Sequence, residues 1–276
     1  MARAFRAQGW AVDSVETRQP GHGAELAAQA ARDGVQRVVA VGGDGTVHEV
    51  ANGLLGQEGG VNVALGVVPI GSGNDFAKLV GVYRHSPTRA VARLVGAVPR
   101  RFDVGRVFDE YFVNSMGCGF TAEVVRARNA MPNLPGLLSY LVPAFRTFAT
   151  YRPHLLEVCA AEFTETGYVM LVEVCNGTTA GGNYRFAPDA DPADGRLDVC
   201  LVRQVSLLRF LTALPRVMRG THGMMTEVAL FKTRELTLRS PEAPLLLHLD
   251  GELRAPGLRE CTVRIEPQRL KVLVAR

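Results

Sequence analysis

The sequence predicts an α/β domain with a parallel sheet, followed by a β-rich sandwich domain. In the first part of the chain, an apolar strand pattern, a glycine-rich loop and a helical pattern follow one another twice, which is typical of α/β domains. After Pro99 the pattern changes to short alternating apolar runs between turn residues, which is typical of antiparallel strands. A length of 276 residues also favours two domains. We therefore predict one domain over residues 1–98 and another over residues 99–276.

The two strands expected in the first domain are both short apolar runs. Residues 37–41 (RVVAV) follow an alanine-rich helical segment at 24–32, and residues 61–68 form the second run. Uninterrupted apolar runs of this length are typical of buried parallel strands. Glycine loops follow both runs, at 42–46 and at 71–75. Open α/β sheets bind ligands at the carboxyl ends of their strands, so both loops are candidate binding loops.

The second domain is predicted from nine short runs with strand character. They cover residues 102–108, 111–115, 155–161, 168–174, 197–202, 235–238, 245–249, 262–265 and 270–274. Two helical segments interrupt them, an apolar one at 134–151 with Pro143 inside and an amphipathic one at 205–219.

Composition excludes several classes of protein. With 47% hydrophobic residues the chain can bury a core, which excludes disorder as its main state. A net charge of +4 without dense Lys/Arg blocks does not predict a nucleic-acid partner. Five cysteines without a CxxC pair indicate buried thiols in a reducing compartment. No apolar run approaches the length of a membrane-spanning helix, so we expect a cytoplasmic protein, with contact to a membrane surface left open.

The first glycine loop, Gly42-Gly43-Asp44-Gly45-Thr46, has the composition of a phosphate-binding loop. Glycines after a strand let backbone N–H groups point outward, and the following helix adds the positive end of its dipole. Asp44 fits this loop if Mg²⁺ lies between it and the phosphates, or if its carboxylate orients an attacking hydroxyl. The alternative is that Asp44 and Thr46 only cap the helix. Neither GxGxxG nor GxxxxGK[ST] is present, which excludes the common dinucleotide and P-loop fingerprints.

The second loop, Gly71-Ser72-Gly73-Asn74-Asp75, repeats this chemistry. Ser72 supplies a hydroxyl, and Asn74 or Asp75 is a candidate helix cap. Two such loops on neighbouring strands can hold one polyphosphate from both sides.

Together, the segments VAVGGDGTVHEVANGLL and LGVVPIGSGNDFAKLVG resemble the catalytic domain of the diacylglycerol kinase family. The likeness is to the bacterial YegS-like lipid kinases, which are related to sphingosine kinases and more distantly to NAD kinases. It continues through Cys175-Asn176-Gly177 with Gly181-Gly182, through residues 187–198, and through His248-Leu249-Asp250-Gly251-Glu252. The resemblance implies ATP- and Mg²⁺-dependent phosphorylation of a lipid hydroxyl, of diacylglycerol or a related lipid, at a membrane surface.

The resemblance also implies roles for individual residues. Those expected to contact ATP are Gly42, Gly43, Asp44, Gly45, Thr46, Val47, His48, Glu49, Ser72, Gly73, Asn74 and Asp75. Thr17 lies at a further nucleotide-contacting position, although its neighbours match poorly. Glu252 is implied as the general base, and Asp44 acts with it in catalysis. The alternative for Glu252 is an ordinary hairpin, because Asp250-Gly251 between apolar runs is a strong turn signal.

A magnesium site in the second domain is implied at Asp191, Asp194 and the backbone carbonyl of Arg196 or Leu197. Closely spaced oxygen ligands in a glycine-containing turn suit a hard cation. The alternative is a solvated acidic turn. Asp103 also lies at a family position, and Lys78 is either a phosphate-neutralising residue or a solvated helix lysine.

The chain departs from the resembled family at its amino end. Relatives begin with a strand and an Asn-Pro-x-Ser-Gly loop, whereas MARAFRAQGW is expected to be the helix after that loop. We therefore expect the chain as given to lack that strand, to be less stable and to bind ATP poorly.

Two further function classes stay open. An NAD kinase is disfavoured because Gly177 follows Asn176, where NAD kinases have Asn-Glu, and the other is a non-catalytic nucleotide-binding protein. Each of the two helical segments either docks on a membrane or packs on the sheet, and the second places Arg209 and Arg216 opposite its leucines. The sequence does not decide the oligomeric state, and a homodimer is left open.

Overall fold

The computed structural model describes residues 1–57, 62–83, 86–131 and 138–275. Its helices are α1 (Ala2–Arg6), α2 (His22–Arg32), α3 (Asp44–Leu55), α4 (Asp75–Leu79), α5 (Pro87–Val95), α6 (Phe120–Asn129), α7 (Leu138–Thr150) and α8 (Leu207–Arg219). Its strands are β1 (Arg37–Gly42), β2 (Ala64–Pro69), β3 (Val98–Val107), β4 (Glu110–Phe112), β5 (Ser115–Gly119), β6 (His154–Ala160), β7 (Phe163–Cys175), β8 (Leu197–Arg203), β9 (Val228–Thr233), β10 (Glu235–Arg239), β11 (Leu247–Leu249), β12 (Glu252–Arg254) and β13 (Glu260–Val274). The start of the predicted 134–151 helix lies outside the described residues.

The amino-terminal part is an α/β unit with parallel strands, as the sequence predicts. Strands β1 and β2 are parallel and in register from Arg37 opposite Ala64 to Gly42 opposite Pro69. Strand β2 is buried along its whole length, which explains its uninterrupted apolar sequence. Both glycine loops leave the sheet at the same edge, because Gly42 and Pro69 are the last residues of paired parallel strands.

The last strand, β13, connects the two parts of the molecule. Its first half pairs with β10, and its second half pairs in parallel with β2. An irregularity between Glu266 and Leu270 separates the halves, and Gln268 there has a φ of 51°. Core residues of the amino-terminal part therefore come from both ends of the chain, since Leu270 packs with it. The division at residue 98 remains a prediction.

The carboxyl-terminal part is rich in antiparallel strands, as predicted. From β13 the strand order is β10, β6, β7, β5, β11 and β12, while β8 pairs with β7 and with β9. A second hydrophobic core draws side chains from β5, β6, β7, β8, β10, β11 and β13. Because one connected sheet supplies all these strands, it curves around this core.

Helices α6, α7 and α8 cover the other face of that sheet. Helix α6 is not predicted by the sequence reading; it begins at Phe120, after Gly119 with a φ of 81°. The ring of Phe120 contacts those of Phe148 in α7 and Phe210 in α8, with centroid distances of 6.3 and 5.6 Å. The rings of Phe148 and Phe210 are stacked on each other at 4.3 Å. The aromatic contacts join the three helices into one layer.

The packing of α2 on α3 requires a glycine in the middle of a helix. A Cβ atom on Gly53 would lie 2.2 Å from the backbone oxygen of Ala24, so the helices approach at backbone distance. Glu49 adds a polar contact, because its carboxylate accepts hydrogen bonds from the N–H groups of Gly21 and Gly23 at 2.8 and 2.9 Å. This contact holds the beginning of α2 against α3.

We expect Gly53→Ala to destabilise the fold by about 1–3 kcal/mol, because the added methyl group forces the two backbones apart. Gly56→Ala, at the exposed end of the same helix, is the matched control, and we expect it to change stability by less than about 0.5 kcal/mol. Urea unfolding of both variants measures the difference. Equal stability of the two would contradict the close α2–α3 packing.

Candidate active site

The two glycine loops touch each other backbone to backbone. The N–H of Ile70 donates to the carbonyl of Gly42 at 3.0 Å, so the strand pairing continues into the loops. A Cβ atom on Gly71 would lie 2.5 Å from the Cα of Gly43. Glycine is therefore required at this contact, and the loops form one continuous surface of backbone.

Asp44 does not cap its own helix. Helix α3 begins at Asp44 with Gly43 as N-cap residue and has no side-chain capping bond. The carboxylate of Asp44 instead accepts a hydrogen bond from the N–H of Phe76 at 3.2 Å, which ties the first loop to the second. The capping alternative is thus wrong, and the helix N-terminus keeps its capacity to bind an anion.

The second loop is closed by Asn74. Its side chain accepts from the N–H of Gly71 at 3.0 Å and donates to the Gly71 carbonyl at 2.6 Å. Asn74 adopts a left-handed φ of 51° and makes no capping bond to α4, and Asp75 is the first residue of that helix. Asn74 therefore occupies the N-cap position, as one of the two expectations has it, but its side chain fixes the loop shape and does not cap the helix.

Asp75 and Lys78 join the second loop to Gly182 of the carboxyl-terminal part, and we call this set of contacts the clasp. Their side chains pair at 2.7 Å, and the other Asp75 oxygen accepts from the N–H of Gly182 at 2.8 Å. The ammonium of Lys78 donates to the carbonyl of Gly182. Gly181 and Gly182 have φ values of 58° and 82°, so the Gly-Gly pair turns its backbone toward this clasp. Lys78 is thus not a solvated helix lysine.

Glu252 lies against the first glycine loop. It begins β12 after a turn in which Asp250 and Gly251 have φ values of 51° and 88°. The predicted hairpin is present, because β11 and β12 are antiparallel with Leu249 opposite Glu252. The hairpin and the placement of the Glu252 carboxylate at the loop are compatible. A Cβ atom on Gly45 would lie only 2.4 Å from Glu252 Oε1. The two predicted catalytic residues, Asp44 and Glu252, thus belong to one site.

The turn that carries Glu252 is fixed by the buried carboxylate of Asp250. It accepts hydrogen bonds from the backbone N–H groups of Val113, Asn114 and Ser115 at 2.8 to 3.0 Å. Its Oδ2 also lies 2.9 Å from His48 Nδ1. Through this one acidic residue, the hairpin is therefore held both to residues 113–115, at the beginning of β5, and to His48 of α3.

His48 lies in a chain of charged groups behind the site. Its Nε2 is 2.8 Å from Glu110, which also pairs with Arg254. Burial opposes the charge on the imidazole, but the hydrogen bonds with Asp250 and Glu110 outweigh burial and raise the pKa of His48 to about 9. The Glu110 pKa falls to about 2, because the bonds from His48 and Arg254 outweigh its burial.

Asp44 has an environment typical of a functional carboxyl group. Burial, together with the negative charges of Asp75 and Asp250, raises the pKa of Asp44 to about 7. A carboxylate in such surroundings is stabilised by an added cation. Asp44 therefore fits Mg²⁺ brought in with a phosphate ligand.

One cavity of about 550 Å³ connects the loops to an apolar interior. Its polar end is lined by Gly43, Asp44, Gly45, Gly71, Ser72, Gly73, Asp75, Asn114, Ser115, Asp250, Gly251 and Glu252. Its interior is lined by residues such as Phe120, Val124, Met170, Leu171, Phe186, Val202, Phe210, Leu214, Val217, Met225 and Val228. The cavity thus joins a backbone-rich anion site to a surface that suits hydrocarbon.

Other residues expected at the nucleotide have different surroundings. Val47 packs in the amino-terminal core, and Glu49 holds the beginning of α2 as described above. Thr46 faces Gly42, and a Cβ atom on that glycine would lie 2.3 Å from its hydroxyl oxygen. Ser72 accepts a hydrogen bond from Arg128 at 3.0 Å, and Thr17 is exposed. The ATP contacts of these residues remain predictions.

The acidic turn expected to hold magnesium is instead paired with a lysine of strand β9. The Lys232 ammonium pairs with Asp194 at 2.7 Å and with Asp198 at 3.3 Å. Asp194 and Asp191 also accept backbone N–H groups, of Arg196 at 2.9 Å and of Ala193 at 3.0 Å. Within the described ranges, no group of three or more His, Cys, Asp or Glu residues is placed to hold a metal ion. In this arrangement the turn does not fit magnesium.

Asp103 is a buried positioning residue of this turn. Its two carboxylate oxygens accept from the N–H groups of Gly195 and Gln268, both at 2.7 Å. It therefore joins the acidic turn to the irregularity in β13.

The model of the diacylglycerol kinase catalytic domain matches residues 1–107, and that of the YegS C-terminal NAD kinase beta sandwich-like domain matches residues 114–274. The chain belongs to the YegS-like branch of the diacylglycerol kinase family.

Individual members of the family match over most of their length. The diacylglycerol kinase of Bacillus subtilis is 28% identical over 90% of this chain and 81% of that protein. The "probable lipid kinase YegS-like" of Chromohalobacter salexigens is 32% identical over 86% of this chain and 76% of that protein. These relatives are named kinases, which supports a kinase activity for the chain.

Solved structures support the fold. A diacylglycerol kinase from Bacillus anthracis has a TM-score of 0.69 at 18% identity, covering 94% of this chain and 84% of that one. An NAD kinase from Archaeoglobus fulgidus in complex with ATP has a TM-score of 0.57 at 13% identity, covering 100% and 88%. At these identities the likeness concerns the fold alone.

We expect the free energy of unfolding to fall as pH rises from 6.5 to 9. The folded-state pKa of His48 lies above its ordinary value of 6.5, so its stabilisation is complete below pH 6.5 and is lost as pH rises through about 9. The loss amounts to roughly 3 kcal/mol.

His48→Gln removes the titrating group and should flatten this part of the profile, which urea unfolding at several pH values measures. His154→Gln is the control, because His154 packs against Tyr151 rather than in the chain of charged groups. If the free energy of unfolding of His48→Gln falls between pH 6.5 and 9 as steeply as that of the wild type, His48 is not the group responsible.

Proposed function

We propose that the chain is an ATP-dependent lipid kinase that transfers the γ-phosphate of ATP to a hydroxyl of diacylglycerol or a related lipid. The observation that carries the proposal is the continuous cavity. It begins at two glycine loops with an acidic residue from each half, Asp44 and Glu252, and ends in an apolar interior. Family membership supports the kinase chemistry, and the apolar interior supports a lipid as the acceptor.

The glycine loops would bind the phosphates of ATP through backbone N–H groups. The contact between Gly43 and Gly71 makes the two loops one surface, and the N-terminus of α3 adds a positive dipole end. Backbone donors held rigidly in this way stabilise negative charge that develops on a transferred phosphoryl group. Asn74 and the clasp between Asp75, Lys78 and Gly182 keep the second loop in place.

Glu252 would act as the general base. It takes the proton of the lipid hydroxyl while the new oxygen–phosphorus bond forms, the bond to the β-phosphate oxygen breaks and ADP leaves. Its position next to Gly45 places it beside the phosphate-binding surface. Mg²⁺ bound with ATP would neutralise phosphate charge, and Asp44 is the carboxylate that would hold it.

Exposed apolar residues on α7 and α8 support delivery of the lipid from a membrane. Leu207, Leu208 and Leu211 are 55, 72 and 43% exposed, and Phe145 on α7 is 41% exposed. The inner face of α8, with Phe210 and its neighbours, lines the cavity. A bilayer in contact with the outer face would thus lie beside the entrance for the lipid. No helix among the described residues meets the length and hydropathy needed to cross a bilayer.

Some side chains of α8 pack against the rest of the molecule, and others are exposed to solvent. The sequence pattern places Leu207, Leu211, Leu214 and Met218 on one face, but Leu214 and Met218 pack on the aromatic layer while the other two project outward. Leu214 and Met218 therefore follow the packing alternative, and the exposed Leu207 and Leu211 belong to the part of the helix for which we propose docking.

The test of the proposed function is a labelled γ-phosphate assay against a lipid extract and against NAD. Label in lipid products supports the proposal. Label in NAD alone would identify an NAD kinase, and no label with either would leave a non-catalytic nucleotide-binding protein.

We expect Glu252→Gln to lower kcat by about 10²- to 10⁴-fold, the range of general-base catalysis, while ATP affinity stays nearly unchanged. Steady-state kinetics and calorimetric ATP titration measure the two quantities. Glu242→Gln, an exposed carboxylate outside the cavity, is the control with wild-type values. Turnover that survives the change at Glu252 would disprove its role as base.

We expect Leu207→Ser combined with Leu208→Ser to weaken binding to lipid vesicles about tenfold or more, because two large apolar side chains no longer enter the bilayer. Activity on detergent-dispersed lipid should be retained. Leu258→Ser, which changes a half-exposed leucine elsewhere, should bind vesicles like the wild type. Vesicle flotation measures the effect, and unchanged flotation would exclude this surface.

A further inference from the structure

Three polar side chains lie together in the cavity wall without a role in the proposed reaction. They are Thr121 at the beginning of α6, Glu173 on β7 and His248 on β11. Glu173 is fully buried, and His248 is 5% exposed. A carboxyl group at this depth requires an explanation, because burial without hydrogen bonds strongly disfavours it.

The register of the sheet brings these residues together. Strand β5 lies between β7 and β11, and Gly117 is paired with Glu173 on one side and with His248 on the other. Paired residues project to the same face of a sheet. A Cβ atom on Gly117 would lie 2.2 Å from His248 Nε2, 2.3 Å from Thr121 Oγ1 and 2.5 Å from Glu173 Oε2. The glycine therefore makes room for the cluster.

The opposite face of the same three strands is entirely apolar where these residues lie. Its side chains, which belong to the second hydrophobic core, are Met116, Cys118, Val172, Val174, Leu247 and Leu249. The polar row therefore faces the cavity and not the core.

The cluster is not satisfied by the protein. Among the described residues, neither oxygen of Glu173 has a hydrogen-bond partner, and Thr121 Oγ1 and His248 Nδ1 also have none. His248 Nε2 lies 3.5 Å from Glu173 Oε2, which is ion-pair distance but not a hydrogen bond. Buried polar groups in native proteins are usually paired. Because this row lines the cavity, a molecule bound there is the natural source of the missing partners.

The position of the row along β5 indicates which part of a lipid it would meet. Ser115 binds Asp250 at the catalytic turn, Gly117 carries the polar row, and Gly119 precedes Phe120 of the aromatic layer. Residues two apart on a strand are roughly 7 Å apart. The row thus lies between the reacting end of the cavity and the apolar interior, at the depth of a lipid headgroup.

We infer that Glu173, with Thr121 and His248, selects lipids that carry a second free hydroxyl close to the one that is phosphorylated. This inference rests on the proposed function. A hydroxyl donates one hydrogen bond and accepts others, which matches a carboxylate acceptor beside a threonine hydroxyl and an imidazole. The ester oxygens of a diacylglycerol only accept, so they leave the carboxylate of Glu173 unpaired. Glu173 is thus a specificity-determining residue, and Glu252 remains the base.

The test compares two lipids that differ only in the second hydroxyl, 1-oleoylglycerol and its 2-O-methyl ether, in detergent micelles. We expect the wild type to favour 1-oleoylglycerol in kcat/KM by about 10- to 100-fold, the range for a hydrogen bond to a charged group. Glu173→Met, which keeps the length of the side chain, should bring this ratio close to one. Glu162→Met, an exposed carboxylate on the turn before the same strand, should retain the wild-type ratio and rates.

Two further measurements separate selection from a structural role. Thr121→Val should lower the ratio severalfold, which tests the cluster even if Glu173→Met does not fold. Glu173→Met should have a higher melting temperature than the wild type, because an unpaired buried carboxyl group is removed. A lower melting temperature, a wild-type ratio near one, or a ratio that survives Glu173→Met would each overturn the inference. If no lipid is phosphorylated at all, the proposed function itself fails.

Discussion

The site depends on one buried carboxylate, that of Asp250. Three consecutive backbone N–H groups, those of residues 113–115 at the beginning of β5, donate hydrogen bonds to it, and His48 of α3 also contacts it. Without this acceptor, the turn before Glu252 would have no fixed position relative to the glycine loops. A single residue two positions away therefore determines where the proposed base lies. Such a buried charge adds specificity of arrangement more readily than stability.

A second polar contact holds the other glycine loop to the same half of the molecule. Asp75 and Lys78 bind Gly182 of the β-rich part. Each loop is therefore joined to the β-rich part through a buried acidic residue, the second loop through Asp75 and the helix after the first loop through Asp250. The distance between phosphate-binding backbone and catalytic carboxylate is thus set by hydrogen bonds that bridge the halves, while apolar packing builds each half separately.

Features encoded locally could be predicted from the sequence, and those that depend on distant partners could not. The parallel strands and glycine loops follow from short patterns, and the family resemblance brought Asp44 and Glu252 into one site. The sequence did not predict the hydrogen bond from the N–H of Phe76 to Asp44, because the two residues are 32 positions apart. It also did not predict the ion pair between Lys232 and Asp194, which are 38 positions apart. Helix α6 was missed because its polar sequence lacks a clear apolar stripe. A local signal for Glu173 did exist: an acidic residue in the apolar run YVMLVEVC.

The path of β13 has a consequence for the synthesis of the chain. Lys271 and Val272 of β13 pair with β2, so the amino-terminal half lacks this neighbouring strand until β13 has been made. Domains usually fold in order as they leave the ribosome. Here the first half must wait for a contact of high sequence separation, which is slow to form. Until β13 has been made, the edge of β2 that faces it therefore lacks a strand partner.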